Sequence, residues 1–115
     1  MIAIILTLYL INPLPNYVLY GPVTLTSYCA CKKCCGPSAP NKTASNKWPK
    51  EGRTVAGPRS IPLNTKIKIW PLLDLDTVVE DRLALRYDKR FDFYVEDHNL
   101  AVKIGKQERI VYVKR

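Results

Sequence analysis

The sequence predicts a mainly β protein: about six short strands and one short helix, closed into a compact barrel. Three observations predict it. Val, Ile, Thr and Tyr dominate the apolar stretches, and these residues fit a pleated surface. Nine Pro and five Gly are spread through 115 residues, a composition of many turns and few long helices. Several segments alternate apolar and polar residues, the period of a half-buried strand. Hydrophobic residues make up 47% of the chain, which excludes disorder, and the length suits one domain with a modest core.

Taken in order, the chain opens with Met1 to Ile11, almost wholly apolar and interrupted by Pro13 and Pro15. Eleven residues are too few to cross a bilayer as a helix. They fit the apolar centre of a signal peptide or a packed N-terminal arm. The first charged residue is Lys32, so the usual basic lead-in is missing, and no small-x-small cleavage site stands out. Residues 1–22 are therefore set apart as an apolar arm or signal-like segment that ends at Gly21-Pro22 and is open to membrane contact. Residues 23–115 form the folded domain.

Val23 to Tyr28 alternates and reads as a strand. The cysteines follow, and residues 36–52, rich in Pro, Asn, Ser and Lys, form a long polar loop. Arg53 to Ala56 is a short strand before a Gly57-Pro58 turn. Thr65 to Trp70 is a strand with one wet face, carrying Lys66 and Lys68. Thr77 to Glu80 is a strand that delivers Asp81 at its end. Arg82 to Lys89 is a polar loop, and Arg90 to Val95 is the next strand. Asp97 caps a short helix whose apolar face holds Leu100, Ala101 and Ile104, and Gly105 ends it. Arg109 to Val113 closes the chain as a strand. No internal repeat is present at the scale of 20–50 residues.

The net charge of +8 draws the domain to polyanions. Nucleic acid, anionic lipid and acidic wall polymers all qualify, as does a basic face that is merely solvated. The absence of an RNA- or DNA-binding motif argues against a specific nucleic-acid partner. Four cysteines, Cys29, Cys31, Cys34 and Cys35, lie in one short segment. Disulfides, a structural zinc ion and free thiols remain open for them. Their spacing is not that of a zinc ribbon, and adjacent Cys34 and Cys35 do not pair with each other without backbone strain.

Asp81 and Asp92 are the candidate acid–base groups, because each lies beside or within an otherwise apolar strand. A carboxyl with apolar neighbours favours its neutral form, which a general acid needs. Phe91 and Phe93 flank Asp92, so alternation turns it away from them, and both carboxyls are expected in one groove. The plain alternative is surface ion pairing with Arg82 and Arg90. Trp48, in the polar loop, and Trp70, at a strand end and expected to be partly core, are candidates for stacking on a sugar ring. His98, at the start of the helix, is expected to be a capping or surface residue.

The order of motifs resembles that of the 3D (three-aspartate) domain family. Glu80-Asp81-Arg82 is followed by Arg90-Phe91-Asp92-Phe93-Tyr94, then His98, the helix from Asn99 to Ile104, Gly105-Lys106 and Ile110-Val111-Tyr112-Val113. Upstream, Thr43-Ala44-Ser45, Thr54-Val55-Ala56 and Ser60-Ile61-Pro62-Leu63-Asn64-Thr65 resemble further family segments, and Tyr28 to Gly36 resembles the Cys-rich opening of one branch. The likeness covers about residues 23–114. It implies a double-psi β-barrel and a lytic transglycosylase related to the membrane-bound lytic transglycosylase A group. Peptidoglycan glycan strands would be the substrate, no cofactor would be required, and the setting would be extracellular, in the cell envelope or on a phage. It implies Asp81 as the catalytic acid, Asp92 as its partner, and Arg82, Arg90, Tyr94, Thr43 and Trp48 as substrate-binding residues. Three departures stand out: Gly57 occupies the position of the first family Asp, Leu83-Ala84 replaces a Gly-Gly pair, and Leu85-Arg86-Tyr87-Asp88 replaces Ala-Ile-Lys-Gly, bulkier residues that are expected to narrow the glycan groove.

Overall fold

The computed structural model describes residues 14–31, 41–83 and 86–115. Its strands are β1 (Tyr17–Tyr28), β2 (Thr54–Gly57), β3 (Thr65–Trp70), β4 (Leu72–Arg82), β5 (Arg90–Tyr94) and β6 (Gln107–Lys114), with one helix, α1 (His98–Ile104), between β5 and β6. The strands close into a barrel in the order β1-β5-β2-β4-β3-β6. Two neighbouring pairs are parallel, β1 with β5 and β2 with β4, and the remaining four are antiparallel. Closure gives every strand a neighbour on each side over at least part of its length. The mainly β class, the six strands and the short helix are therefore as the sequence predicts.

Alternation builds the core. Val23, Leu25, Val55, Ile67, Ile69, Val79, Phe91 and Val111 point into the barrel from its six strands, and Ile61 joins them from the turn after β2. The ring of Tyr20 meets Phe91 edge-on, with centroids 5.6 Å apart, a favoured aromatic geometry. The opposite residues of the same strands, Lys66 and Lys68 among them, stay at or near the surface.

β2 and β5 differ from the sequence-based expectation by one residue at one or both ends, and three strands are longer than expected. β1 begins at Tyr17 rather than Val23, so Gly21-Pro22 lies inside it. The strand survives there because its register against β6 shifts between Leu19 and Gly21, and Gly21 takes φ +129°, a conformation that glycine adopts without strain. β4 begins at Leu72, straight after the cis Trp70-Pro71 bond that turns the β3–β4 hairpin, and it continues through Asp81. β6 extends beyond Arg109–Val113 at both ends. Trp70 at this hairpin is 52% exposed and is not a core residue. The apolar stretch Met1 to Ile11 and the membrane contact expected of it lie outside the described residues. Among the described residues no helix is long and apolar enough to cross a membrane.

Gly57 leaves no room for a side chain. A Cβ at this buried position would sit 3.0 Å from Val79 Cγ1 and 3.3 Å from Phe91 Cε2. Both neighbours are fully buried and cannot swing away. Gly57→Asp would add this overpacking, roughly 1–3 kcal/mol, to the cost of a carboxyl buried without a partner. Urea denaturation is expected to show a loss of about 3 kcal/mol or more, large against the usual stability of a small domain.

Candidate active site and metal-binding group

Ala56 is the hinge of the site. It pairs with Asp92 across the β2–β5 boundary and with Asp81 across the β2–β4 boundary. Residues paired in register share a face, so both carboxylates leave the barrel on the side of Ala56, opposite Val55 and Phe91. Uninterrupted alternation from Val79 would have turned Asp81 inward. A bulge prevents it: Val55 pairs with Val79 and Ala56 with Asp81, which makes Glu80 the extra residue.

Glu80 is 1% exposed and fully engaged. Its Oε1 accepts from Arg53 Nε at 3.0 Å and from Thr54 Oγ1 at 2.6 Å, and Lys47 Nζ lies 3.6 Å from Oε2. A buried charge persists only with such partners. These contacts tie the segment 41–53 over the outer face. The segment is braced by Ser45 N donating to the Glu80 carbonyl and by a turn in which Asn46 N donates to the Thr43 carbonyl.

Asp81 sits at the edge of this cover. Tyr28 Oη donates to its Oδ2 at 3.1 Å, and the backbone N–H groups of Ala44 and Arg82 donate to Oδ1 at 3.0 and 2.9 Å. Beside it lies a cavity of about 180 Å³ lined by Tyr28, Ala30, Asn41, Lys42, Thr43, Pro49 and Asp81. A larger cavity, about 260 Å³, is mainly apolar and has no carboxylate in its wall.

Asp92 is more enclosed. Burial pushes its carboxyl above the usual range and the negative charge of Asp81 adds to this, while a hydrogen bond from Thr26 and the positive charge of Arg90 pull the other way. Arg90 Nε donates to Thr26 Oγ1 at 3.1 Å, and Thr26 Oγ1 donates to Asp92 Oδ1 at 2.9 Å. The charge of Asp81 is the smallest of these four influences on Asp92.

The other sequence candidates take varied places. Arg82 Nη1 donates to the carbonyls of Pro58 and Ile61, which makes it a brace across the turn after β2. Arg90 stacks on Tyr87, with its Cζ 4.5 Å from the ring centre. Tyr94 is buried, edge-on to Tyr28 at 5.5 Å. Thr43 is buried in the loop turn, where its hydroxyl lies 3.0 Å from Ser45 Oγ and accepts from Lys47 N. Trp48 is 59% exposed, with Lys42 Nζ 5.9 Å from its ring centre. Leu83 is described, but Ala84, its partner in the expected narrowing of the groove, is not.

His98 has a different role from the surface or capping one expected. Asp97 is the N-cap of α1, accepting from Asn99 N. His98 instead turns Nδ1 to the cysteines, 3.4 Å from Cys29 Sγ and 3.2 Å from Cys31 Sγ, while the two sulfurs lie 2.9 Å apart. These three side chains form a group able to hold a metal ion. Cys29 and Cys31 are not bonded to one another, and Cys34 and Cys35 lie outside the described residues. Their clustering in one short segment made the cysteines candidate ligands, but nothing in the sequence joins His98 to residues almost seventy positions earlier.

No protein-family model, curated protein or solved structure matches this chain.

Two measurements test this site. Glu80→Gln removes the charge that gathers Arg53, Thr54 and Lys47, and hydrogen bonds to charged groups contribute roughly 1.5–3 kcal/mol each. A stability loss of about 2 kcal/mol is expected, with faster hydrogen exchange at residues 43–47. The raised Asp92 carboxyl keeps its proton in the folded state at pH values where the unfolded chain has released it. Between the ordinary carboxylate range and the raised value, the folded state therefore binds more protons, and stability falls as pH rises. Asp92→Asn removes this titration. Its stability relative to the parent should rise as denaturation is followed from about pH 3 to pH 7, and a constant difference across that range would refute the burial of a titrating Asp92.

Proposed function

We propose that the protein is a peptidoglycan lytic transglycosylase on a double-psi β-barrel of the 3D type, working outside the cytoplasm in a cell envelope or on a phage particle. The observation that carries this reading is the pair of carboxylates flanking Ala56 on one outer face, with Asp81 in the wall of a cavity. The ordered motif resemblance supports it, and so do the two parallel strand pairs within an otherwise antiparallel barrel. Glycan strands of the wall are the partner. Lys42 and Trp48 at the cavity rim offer a cation and an apolar ring face for the sugar chain. The net positive charge favours approach to an acidic polymer.

The reaction proceeds in two proton transfers. Asp81 protonates the glycosidic oxygen between N-acetylmuramic acid and N-acetylglucosamine, and that bond breaks. The same carboxylate then takes the proton from the muramyl 6-hydroxyl as its oxygen attacks the anomeric carbon. The product is a 1,6-anhydro end, no water is consumed, and Asp81 ends protonated as it began. Tyr28 and the Ala44 and Arg82 amides orient the carboxylate. Asp92 sets the local field, and Arg90 reaches it through Thr26. This chemistry requires no cofactor, and a zinc ion held by Cys29, Cys31 and His98 would be structural.

A second reading is a barrel that binds wall glycan without cleaving it. It is favoured by the engagement of both Asp81 oxygens by three donors from the protein itself. Mass spectrometry of muropeptides released from purified peptidoglycan separates the two. Asp81→Asn keeps the shape but removes the transferable proton, and it should lower anhydromuropeptide release by about 10²–10⁴-fold while leaving the fold intact. Asp92→Asn should have a smaller effect. Release by Asp81→Asn at the parent rate would overturn the catalytic assignment. Glycan binding by the parent without any anhydro product would favour the second reading.

A further inference from the structure

We propose that Cys29, Cys31 and His98 hold one zinc ion, and that this ion clamps the end of β1 to α1 and so fixes the wall of the Asp81 cavity. The donor set comes from two segments far apart in sequence. Cys29 and Cys31 follow β1 directly, and His98 is the first residue of α1. Cys29 is buried and the other two are partly buried, so the donors are gathered inside the molecule.

The sulfur–nitrogen separations are those of a metal-ligand group. With Zn–S near 2.3 Å and Zn–N near 2.0 Å, tetrahedral geometry puts two sulfurs about 3.7 Å apart and sulfur and nitrogen about 3.5 Å apart. The sulfur–nitrogen distances of 3.4 and 3.2 Å are close to this. The sulfur–sulfur distance of 2.9 Å lies midway between that spacing and the roughly 2.05 Å of a covalent bond. Zinc binding would release the thiol protons and spread the sulfurs to the tetrahedral spacing. Thiolate with imidazole is a donor set that selects zinc over calcium or magnesium.

The clamp reaches the groove through its neighbours in sequence. Tyr28, one residue before Cys29, donates to Asp81 Oδ2 from its hydroxyl, and its carbonyl accepts from Val95 N at 2.8 Å. Ala30, between the two cysteines, lines the cavity beside Asp81. Fixing the sulfurs on either side of Ala30 to the start of α1 therefore holds both the cavity wall and the residue that orients Asp81. A metal at this group is a positioning element and makes no contact with the reacting atoms.

The test uses the full chain, purified reduced and without chelator. Elemental analysis should find one zinc per chain, and cobalt in its place should give thiolate charge-transfer absorption. Cys29→Ser, Cys31→Ser and His98→Ala should each weaken zinc binding by more than the roughly 10–100-fold expected for losing an outer hydrogen-bond partner. Removing zinc should speed hydrogen exchange at residues 28–31 and 95–101 by about tenfold or more. The proposal fails if the reduced protein takes up no zinc. It also fails if zinc is lost only in Cys34→Ser or Cys35→Ser and kept in the His98 variant, or if stripping leaves exchange unchanged. The effect on cleavage rests on the transglycosylase reading: zinc removal should lower anhydromuropeptide release, while Asp81→Asn should abolish release and keep its zinc. If no preparation cleaves glycan, that reading falls, and metal content and exchange still decide this one.

Discussion

The extra residue at Glu80 is the constraint on which the site depends. A strand that alternates faithfully cannot put Val79 in the core and Asp81 on the outer face, because residues two apart share a side. The bulge between β2 and β4 breaks the alternation once and satisfies both demands. The bulge in turn needs its own extra side chain accommodated, and Arg53, Thr54 and Lys47 do so by surrounding the buried Glu80 carboxylate. Those same contacts draw the 41–53 segment across the sheet, where Ala44 meets Asp81. One irregularity in the ladder therefore aims a carboxylate, buries a neighbouring one and anchors the loop that roofs the groove.

The barrel around this bulge is conventional in its energetics and exacting in its geometry. Each strand contributes one or two β-branched or aromatic side chains to a core too small for voids. At Gly57 the packing is tight enough that even one added carbon meets Val79 and Phe91. A third carboxylate at that position would face this core rather than join Asp81 and Asp92.

The elements were largely legible because they obey local rules. Lys66 and Lys68 alternate with Ile67 and Ile69, so β3 reads directly from the sequence. Asp97 and Gly105 bracket α1, as a cap and a stop residue do. Asp92 between two Phe residues could be assigned to the outer face by period alone. The errors occurred where context overrides local preference. Gly21-Pro22 reads as a break, yet β1 passes through it because pairing with β6 absorbs the irregularity in a register shift. Trp70 reads as partly core but is exposed, because it alternates with the buried Ile69 and so faces outward opposite Ile110.

Sequence by itself determined the class of fold, the faces of the regular strands, the helix and its cap, and the identity of Asp81, Asp92 and the cysteines as the chemically capable residues. These follow from periodicity, turn chemistry and donor type, all carried within a few residues of one another. Tertiary structure alone decided that Ala56 stands between the two carboxylates, that Glu80 is the extra residue which turns Asp81 outward, and that His98 faces Cys29 and Cys31. Each of these is a meeting of segments separated by many residues. Closure of the barrel sets such meetings, and local sequence pattern does not encode them.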